Sequence, residues 1–83
     1  MKYLIELRPK ATKDLRSIEH NTAQRILKAI RALENDLAGD VKMLKDFDPA
    51  YRLRVGEYRV LFDVVSNHIE VYRIRHRSEV YKR

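Results

Sequence analysis

The chain of 83 residues contains no cysteine, so neither a disulfide framework nor a thiolate zinc site can brace so short a sequence. It has only two glycines and two prolines, and with 45% hydrophobic residues this argues against low-complexity or disordered composition. No stretch approaches the roughly 20 apolar residues of a membrane span. The opening Met1-Lys2-Tyr3-Leu4-Ile5-Glu6 lacks a secretory apolar run, so a soluble, cytoplasmic protein that does not engage a membrane is expected. Also missing are a Gly-rich phosphate loop, a His-Glu-x-x-His pair, a Gly-x-Ser-x-Gly elbow and a carboxylate cluster at metal spacing. These absences disfavour a metal-dependent nuclease and leave no expected metal or small-molecule cofactor.

What is present is one domain's worth of core, residues 1–83, and a strong positive charge. Eighteen Lys and Arg against twelve Asp and Glu give a net charge of +6, which favours an anionic partner: nucleic acid, phosphate or an acidic protein. The excess lies mainly towards the C-terminus. Residues 51–83 hold eight basic and four acidic side chains, whereas residues 1–41 hold eight and six.

Residues 2–8 alternate, with Tyr3, Ile5 and Leu7 on one face and Lys2, Leu4, Glu6 and Arg8 on the other, the pattern of a half-buried strand. Pro9 suits a helix's first turn, and Ala11, Leu15 and Ile18 form one stripe over residues 10–19. Asn21-Thr22-Ala23-Gln24 resembles a capping box that opens a second helix, whose apolar face is Ala23, Ile26, Leu27, Ile30, Leu33 and Leu37, with Gly39 as its stop. The two helices should form an antiparallel hairpin. Residues 39–50 read as a connecting loop with Met43, Leu44 and Phe47 tucked against the core. Three strands follow: Tyr51 to Val55, then Tyr58 to Val65 after a tight Gly56-Glu57 turn, then Ile69 to Arg75 after Ser66-Asn67. Apolar residues on both faces of the last strand suggest a central position. The expected fold is α+β, an N-terminal strand, a helical hairpin and a three-strand meander, with the helices on one face of a four-stranded antiparallel sheet and a short tail from residue 76.

Period-two alternation places Arg52 and Arg54 on one face of their strand, and the tight hairpin brings Arg59 within reach on the next. Arg73, Arg75 and Arg77 follow and can extend the same surface. Guanidiniums this close repel one another, and an anion relieves that repulsion. Their planar forks suit bidentate phosphate contacts better than an ammonium does. Ion pairing with Glu57, Asp63 and Glu70 on a solvated sheet face is the alternative. The tail His76-Arg77-Ser78-Glu79-Val80-Tyr81-Lys82-Arg83 adds His76 and Tyr81, either of which can carry a proton. Recognition-helix DNA binding is poorly supported, because the apolar face of the second helix belongs to the core.

At Tyr51-Arg52-Leu53-Arg54-Val55-Gly56-Glu57-Tyr58-Arg59-Val60, together with His76-Arg77 and Glu79-Val80-Tyr81, the chain resembles the RelE branch of the RelE/ParE toxin superfamily. Lys13-Asp14-Leu15, the Ile/Leu-rich second helix and Lys42-Met43-Leu44-Lys45 are similar to that family too, so the likeness spans nearly the whole chain. The resemblance implies a toxin of a type II toxin–antitoxin module that enters the ribosomal A site and cuts mRNA without a metal. It implies attack of the ribose 2′-OH on the adjacent phosphorus. Residue by residue, it implies phosphate binding by Arg52, Arg54 and Arg59, a further basic position at Arg75 or Arg77, and a catalytic tyrosine at Tyr81. Some members carry lysine where this chain has Arg52 and Arg54. Arginine is a poor proton carrier at neutral pH, which would leave proton transfer to Tyr81 or His76. Arg73, Arg75, Lys82 and Arg83 would extend the RNA-binding surface, and a cognate antitoxin would be the protein partner.

Two other functions fit the same composition. One is a ParE-like inhibitor of DNA gyrase, whose branch generally lacks the His-Arg tail ending in Tyr. The other is a non-catalytic RNA- or ribosome-binding module, for which a basic sheet suffices.

Overall fold

The computed structural model describes residues 2–44 and 49–80. The order is β1 (Leu4–Leu7), α1 (Pro9–Arg16), α2 (His20–Ala32), β2 (Val41–Met43), β3 (Tyr51–Val55), β4 (Tyr58–Val65), β5 (His68–His76) and α3 (Arg77–Val80). The strands form one sheet in the order β1-β5-β4-β3-β2. Strands β2 to β5 pair antiparallel, while β1 lies parallel to β5, with Leu4 opposite His68 and Leu7 opposite Val71.

The α+β architecture and the meander are as the sequence predicts, and β5 does sit inside the sheet. The sheet itself is mixed and has five strands instead of four. The additional strand, β2, comes from the segment expected to be a loop: Val41, Lys42 and Met43 pair with Leu53, Arg52 and Tyr51. Gly39, at φ +126°, brings the backbone so close that a Cβ there would stand 2.9 Å from Leu53 Cδ1. Three residues are too few to show a period. Met43, expected in the core, is 63% exposed on this edge strand, and Phe47 lies outside the described residues.

The first helix stops at Arg16, three residues short of the expected span, where the Ser17 N–H closes back on Asp14 and Leu15. The second begins earlier than the capping box suggested. Glu19 is its N-cap, its carboxylate accepting the Asn21 N–H at 2.6 Å, so Asn21 is already inside the helix. That bond, opposed by a small desolvation cost and assisted by Thr22, holds the exposed Glu19 carboxyl below its ordinary value. Helix α2 also ends earlier, at Ala32, well before Gly39. There the bonds shorten to Leu33 N–H on Ile30 and Glu34 N–H on Arg31, and the Glu34 carbonyl is taken by the Tyr3 N–H at 3.0 Å. Pairing with the N-terminal strand competes with further helix.

Ala11, Ile26, Ile30 and Leu33 of the helical layer interlock with Leu53, Val60, Phe62, Ile69, Val71 and Ile74 of the sheet, each no more than 3% exposed. This is the whole buried apolar core among the described residues. At about 25 cal/mol per Å² of apolar area it supplies the main driving force for folding. The helices therefore cover one face of the sheet. The opposite face is left to the residues that alternate with the core: Arg52, Arg54, Arg59, Leu61, Asp63, Glu70, Tyr72, Arg73 and Arg75.

Candidate nucleic-acid interface

On the uncovered face, strand register aligns the arginines in rows. Arg54 of β3, Arg59 of β4 and Arg75 of β5 stand directly opposite one another. Two residues along each chain, a second row runs Lys42, Arg52, Leu61, Arg73 across β2 to β5. Residues opposed in this way have Cβ atoms about 4.5–5.5 Å apart, and the rows are separated by about 6.7 Å. Two successive phosphates of an extended single strand can lie along such a grid.

The members differ in what they touch. Arg54 is exposed. Arg59 is only 7% exposed, and its Nη1 donates to the carbonyls of Gly56 at 2.9 Å and Tyr58 at 3.0 Å, so it clamps the β3–β4 turn from beneath the surface. Gly56, at φ +57°, is the residue type that turn needs. Arg52 has its Nε and Nη1 buried with no hydrogen-bond partner. A half-buried cation with orphaned donors is a costly arrangement, and an anion that reached it would relieve the cost.

Three other arginines already hold carboxylates. Arg75 Nη2 lies 3.3 Å from Glu79, and Arg77 Nε 3.2 Å from Glu57, both at the sheet's rim. Arg73 binds Asp14 of α1, Nε to Oδ2 at 2.8 Å and Nη2 to Oδ1 at 3.1 Å, while the same carboxylate accepts the Ile74 N–H at 2.9 Å. Burial pushes Asp14 up, but the bonds from Arg73 and Ile74 and the charges of Arg73 and Arg75 outweigh it and hold the carboxyl below its ordinary value. Arg73 is raised, first by the Asp14 hydrogen bond.

A family model described as "ParE toxin of type II toxin-antitoxin system, parDE" matches residues 5–81. Toxin RelE3 of Methanocaldococcus jannaschii is 34% identical over 74 residues, which cover 83% of this chain and 84% of that protein. The chain belongs to the RelE/ParE family of type II toxins. Among solved structures it is similar to the RelB–RelE antitoxin–toxin complex of Methanococcus jannaschii, at 29% identity and a TM-score of 0.74, covering 90% of this chain and 93% of that one. It also resembles the archaeal RelE–RelB complex of Pyrococcus horikoshii, at 25% identity and a TM-score of 0.78, covering 96% and 100%.

Of the positions that the sequence singled out in this RelE/ParE toxin, the fold brings Arg52, Arg54, Arg59, Arg73 and Arg75 to one face. It does not bring His76 there. His76 is opposite Tyr58, which shares its face with Val60 and Ile74, and its ring meets Tyr58 edge-on at 5.5 Å in a cleft at the end of β5 that Asp14 and Ser17 of the helical side and Arg73, Arg75 and Glu79 also line. His76 Nδ1 lies 2.9 Å from Ser78 Oγ and 3.2 Å from the Ser78 N–H. Arg77 occupies α3, its N–H on the Glu57 carbonyl at 2.7 Å. Tyr81, Lys82 and Arg83 lie outside the described residues. Among the described residues, no group of three or more His, Asp or Glu could hold a metal ion, and no helix is long and apolar enough to cross a membrane.

Sequence reasoning gave no site role to Lys42, Asp14 or Tyr72. Lys42 joins its row only through the unforeseen β2. Tyr72 is the extra residue of a β-bulge, since Leu61 opposes Arg73 while Phe62 opposes Val71. The signal was in the spacing: core positions Ile69 and Val71 are two apart, but Val71 and Ile74 are three.

Proposed function

We propose that this toxin is a ribosome-dependent endoribonuclease that enters the A site and cleaves mRNA by attack of a ribose 2′-OH on the neighbouring phosphorus. The observation that supports this most is the Arg54-Arg59-Arg75 row, adjoined by Arg52 with its orphaned donors. In the reaction the 2′ oxygen forms a bond to phosphorus and loses its proton, the bond to the 5′ oxygen breaks, and that oxygen gains a proton. The products are a 2′,3′-cyclic phosphate and a 5′-OH. RNA supplies the nucleophile, so the protein's part is alignment and neutralisation of the charge that grows on the phosphoryl oxygens. Arg54 supplies this at the surface, and the more deeply set Arg52 and Arg59 add positive potential beneath it. His76 packs edge-on against Tyr58 and engages Ser78, so we assign proton transfer to Tyr81.

Activity would be confined to the cytoplasm, where ribosomes translate. A cognate antitoxin would complete the module, as RelB does in the two archaeal complexes, and the +6 charge favours an acidic segment of it over the arginine rows. Ribosomes programmed with a defined mRNA should yield a single cut ending in a cyclic phosphate. Arg54→Ala should slow the cut about 10²-fold.

The second reading is a ParE-like poison of DNA gyrase, favoured by the description of the matching family model. It requires intact mRNA and the accumulation of gyrase–DNA cleavage complexes in the presence of the purified toxin.

A further inference from the structure

We propose that the cleft bounded by Arg8, Pro9, Lys10, Pro49, Tyr72 and Arg73 is a subsite for one nucleotide flanking the scissile phosphate, with its base stacked on Tyr72. This rests on the RNA-cleaving reading above and adds to it a residue that sets sequence preference.

The cleft has a volume of about 570 Å³, within the range of sites that hold small ligands. It adjoins the arginine grid, because Arg73 is both a wall of the cleft and the end of the Lys42-Arg52-Leu61 row. A strand whose phosphates lie along the rows therefore runs towards it. Tyr72 is the one aromatic among the strand residues of the uncovered face, and it stands there because the bulge places two consecutive residues, Tyr72 and Arg73, where regular pairing would place one. Bulges re-aim side chains in this way.

The chemistry of the lining selects a nucleotide over a simple anion. Arg8 holds its guanidinium 6.0 Å from the Tyr72 ring centroid, and its contacts with Glu70 and Glu6, at 3.6 and 3.9 Å, are long. Lys10 is exposed at the rim. Arg73 is committed to Asp14. A bare phosphate would gain only Arg8 and Lys10, and would share Arg8 with Glu70 and Glu6. A base adds stacking on the phenol ring between proline walls, leaving its own phosphate to Arg8 and Lys10. Aromatic platforms beside a basic track are how single-stranded nucleic acids are held, each stacked base contributing about 5- to 150-fold in affinity.

The test uses ribosomes programmed with an mRNA blocked at the cut by a 2′-O-methyl group and carrying 2-aminopurine at successive positions around it. Wild type should quench the probe at one flanking position. Tyr72→Leu should abolish that quench, Tyr72→Phe restore it, and Lys10→Ala weaken binding without removing it. On cleavable mRNA, Tyr72→Leu should raise KM roughly 10-fold and flatten the preference at that position. The Phe and Lys10 variants keep the test decisive if Tyr72→Leu folds poorly. No position-specific quench with wild type, or a quench that survives Tyr72→Leu, overturns the subsite. So does a Tyr72→Leu variant whose loss is confined to binding of an acidic protein partner. Quench without any cutting of the cleavable mRNA would keep the subsite and reject the nuclease reading, so the two failures are distinct.

Discussion

Asp14 of α1 and Arg73 of β5 meet at 2.8 Å just beyond the point where β1 ends, and the same carboxylate takes the Ile74 N–H that a longer β1 would have paired. A helix side chain thus completes the sheet edge and fixes an arginine next to the uncovered face. Asp14→Ala leaves that N–H and a half-buried guanidinium without an acceptor and should cost about 1–3 kcal/mol, several degrees in Tm. Calorimetry of the two proteins at neutral pH measures it.

The same pair predicts a pH dependence. Asp14 is depressed in the folded state, so its stabilisation is present above the ordinary carboxyl range near ~4 and is lost as pH falls through the lower folded value. The Tm difference between wild type and Asp14→Asn should be largest at neutral pH and shrink below pH ~4. A gap that widens in acid would show that Asp14 does not hold Arg73.

Arg52 should separate function from stability. Its Nε and Nη1 are buried and unpaired, so Arg52→Met should leave Tm unchanged or raise it while slowing mRNA cleavage about 10²-fold. Paired thermal melts and cleavage time courses decide it. A destabilised variant that still cuts at the normal rate would mean that Arg52 serves the fold.

Arg54 and Arg59 are cross-strand neighbours with opposite exposure. Arg54→Ala should reduce cleavage with stability held within about 0.5 kcal/mol of wild type, as expected for a surface change. Arg59→Ala should reduce both, because it also releases the carbonyls of Gly56 and Tyr58. Equal stability losses in the two variants would contradict their assigned depths.

His76 and Tyr81 can be told apart by rate. His76→Ala should change kcat less than about 3-fold, since the imidazole lies on the helix face, whereas Tyr81→Phe should lower it about 10²-fold or more. Single-turnover cleavage of the two variants makes the comparison.

Much of this was legible in the sequence because long periodic segments announce themselves. The alternation from Tyr51 to Val65 specified β3 and β4 and put Arg52, Arg54 and Arg59 together. Short or interrupted elements were not legible. Three residues of β2 carry no period, β1 is joined to β5 by contacts far apart in sequence, and Glu19 outcompeted Asn21 as a cap through one local hydrogen bond. The bulge at Tyr72 reversed the side-chain phase of β5, so His76, counted from Val71, faces the helices along with the core. A constellation of Arg52, Arg54, Arg59 and His76 could be written from the alphabet of residues. Only the register showed that the last of them pairs with Tyr58, in a cleft at the end of β5 that Arg73 and Arg75 also line.

The central claim, that the arginine grid positions mRNA for cleavage, is tested most directly by mapping mRNA 5′ ends in a translating extract with wild type, Arg54→Ala and Tyr81→Phe. Wild type should give new ends in phase with the reading frame, and both variants should lose most of them. Intact mRNA with wild type, accompanied by gyrase–DNA cleavage complexes in a parallel assay, would contradict it.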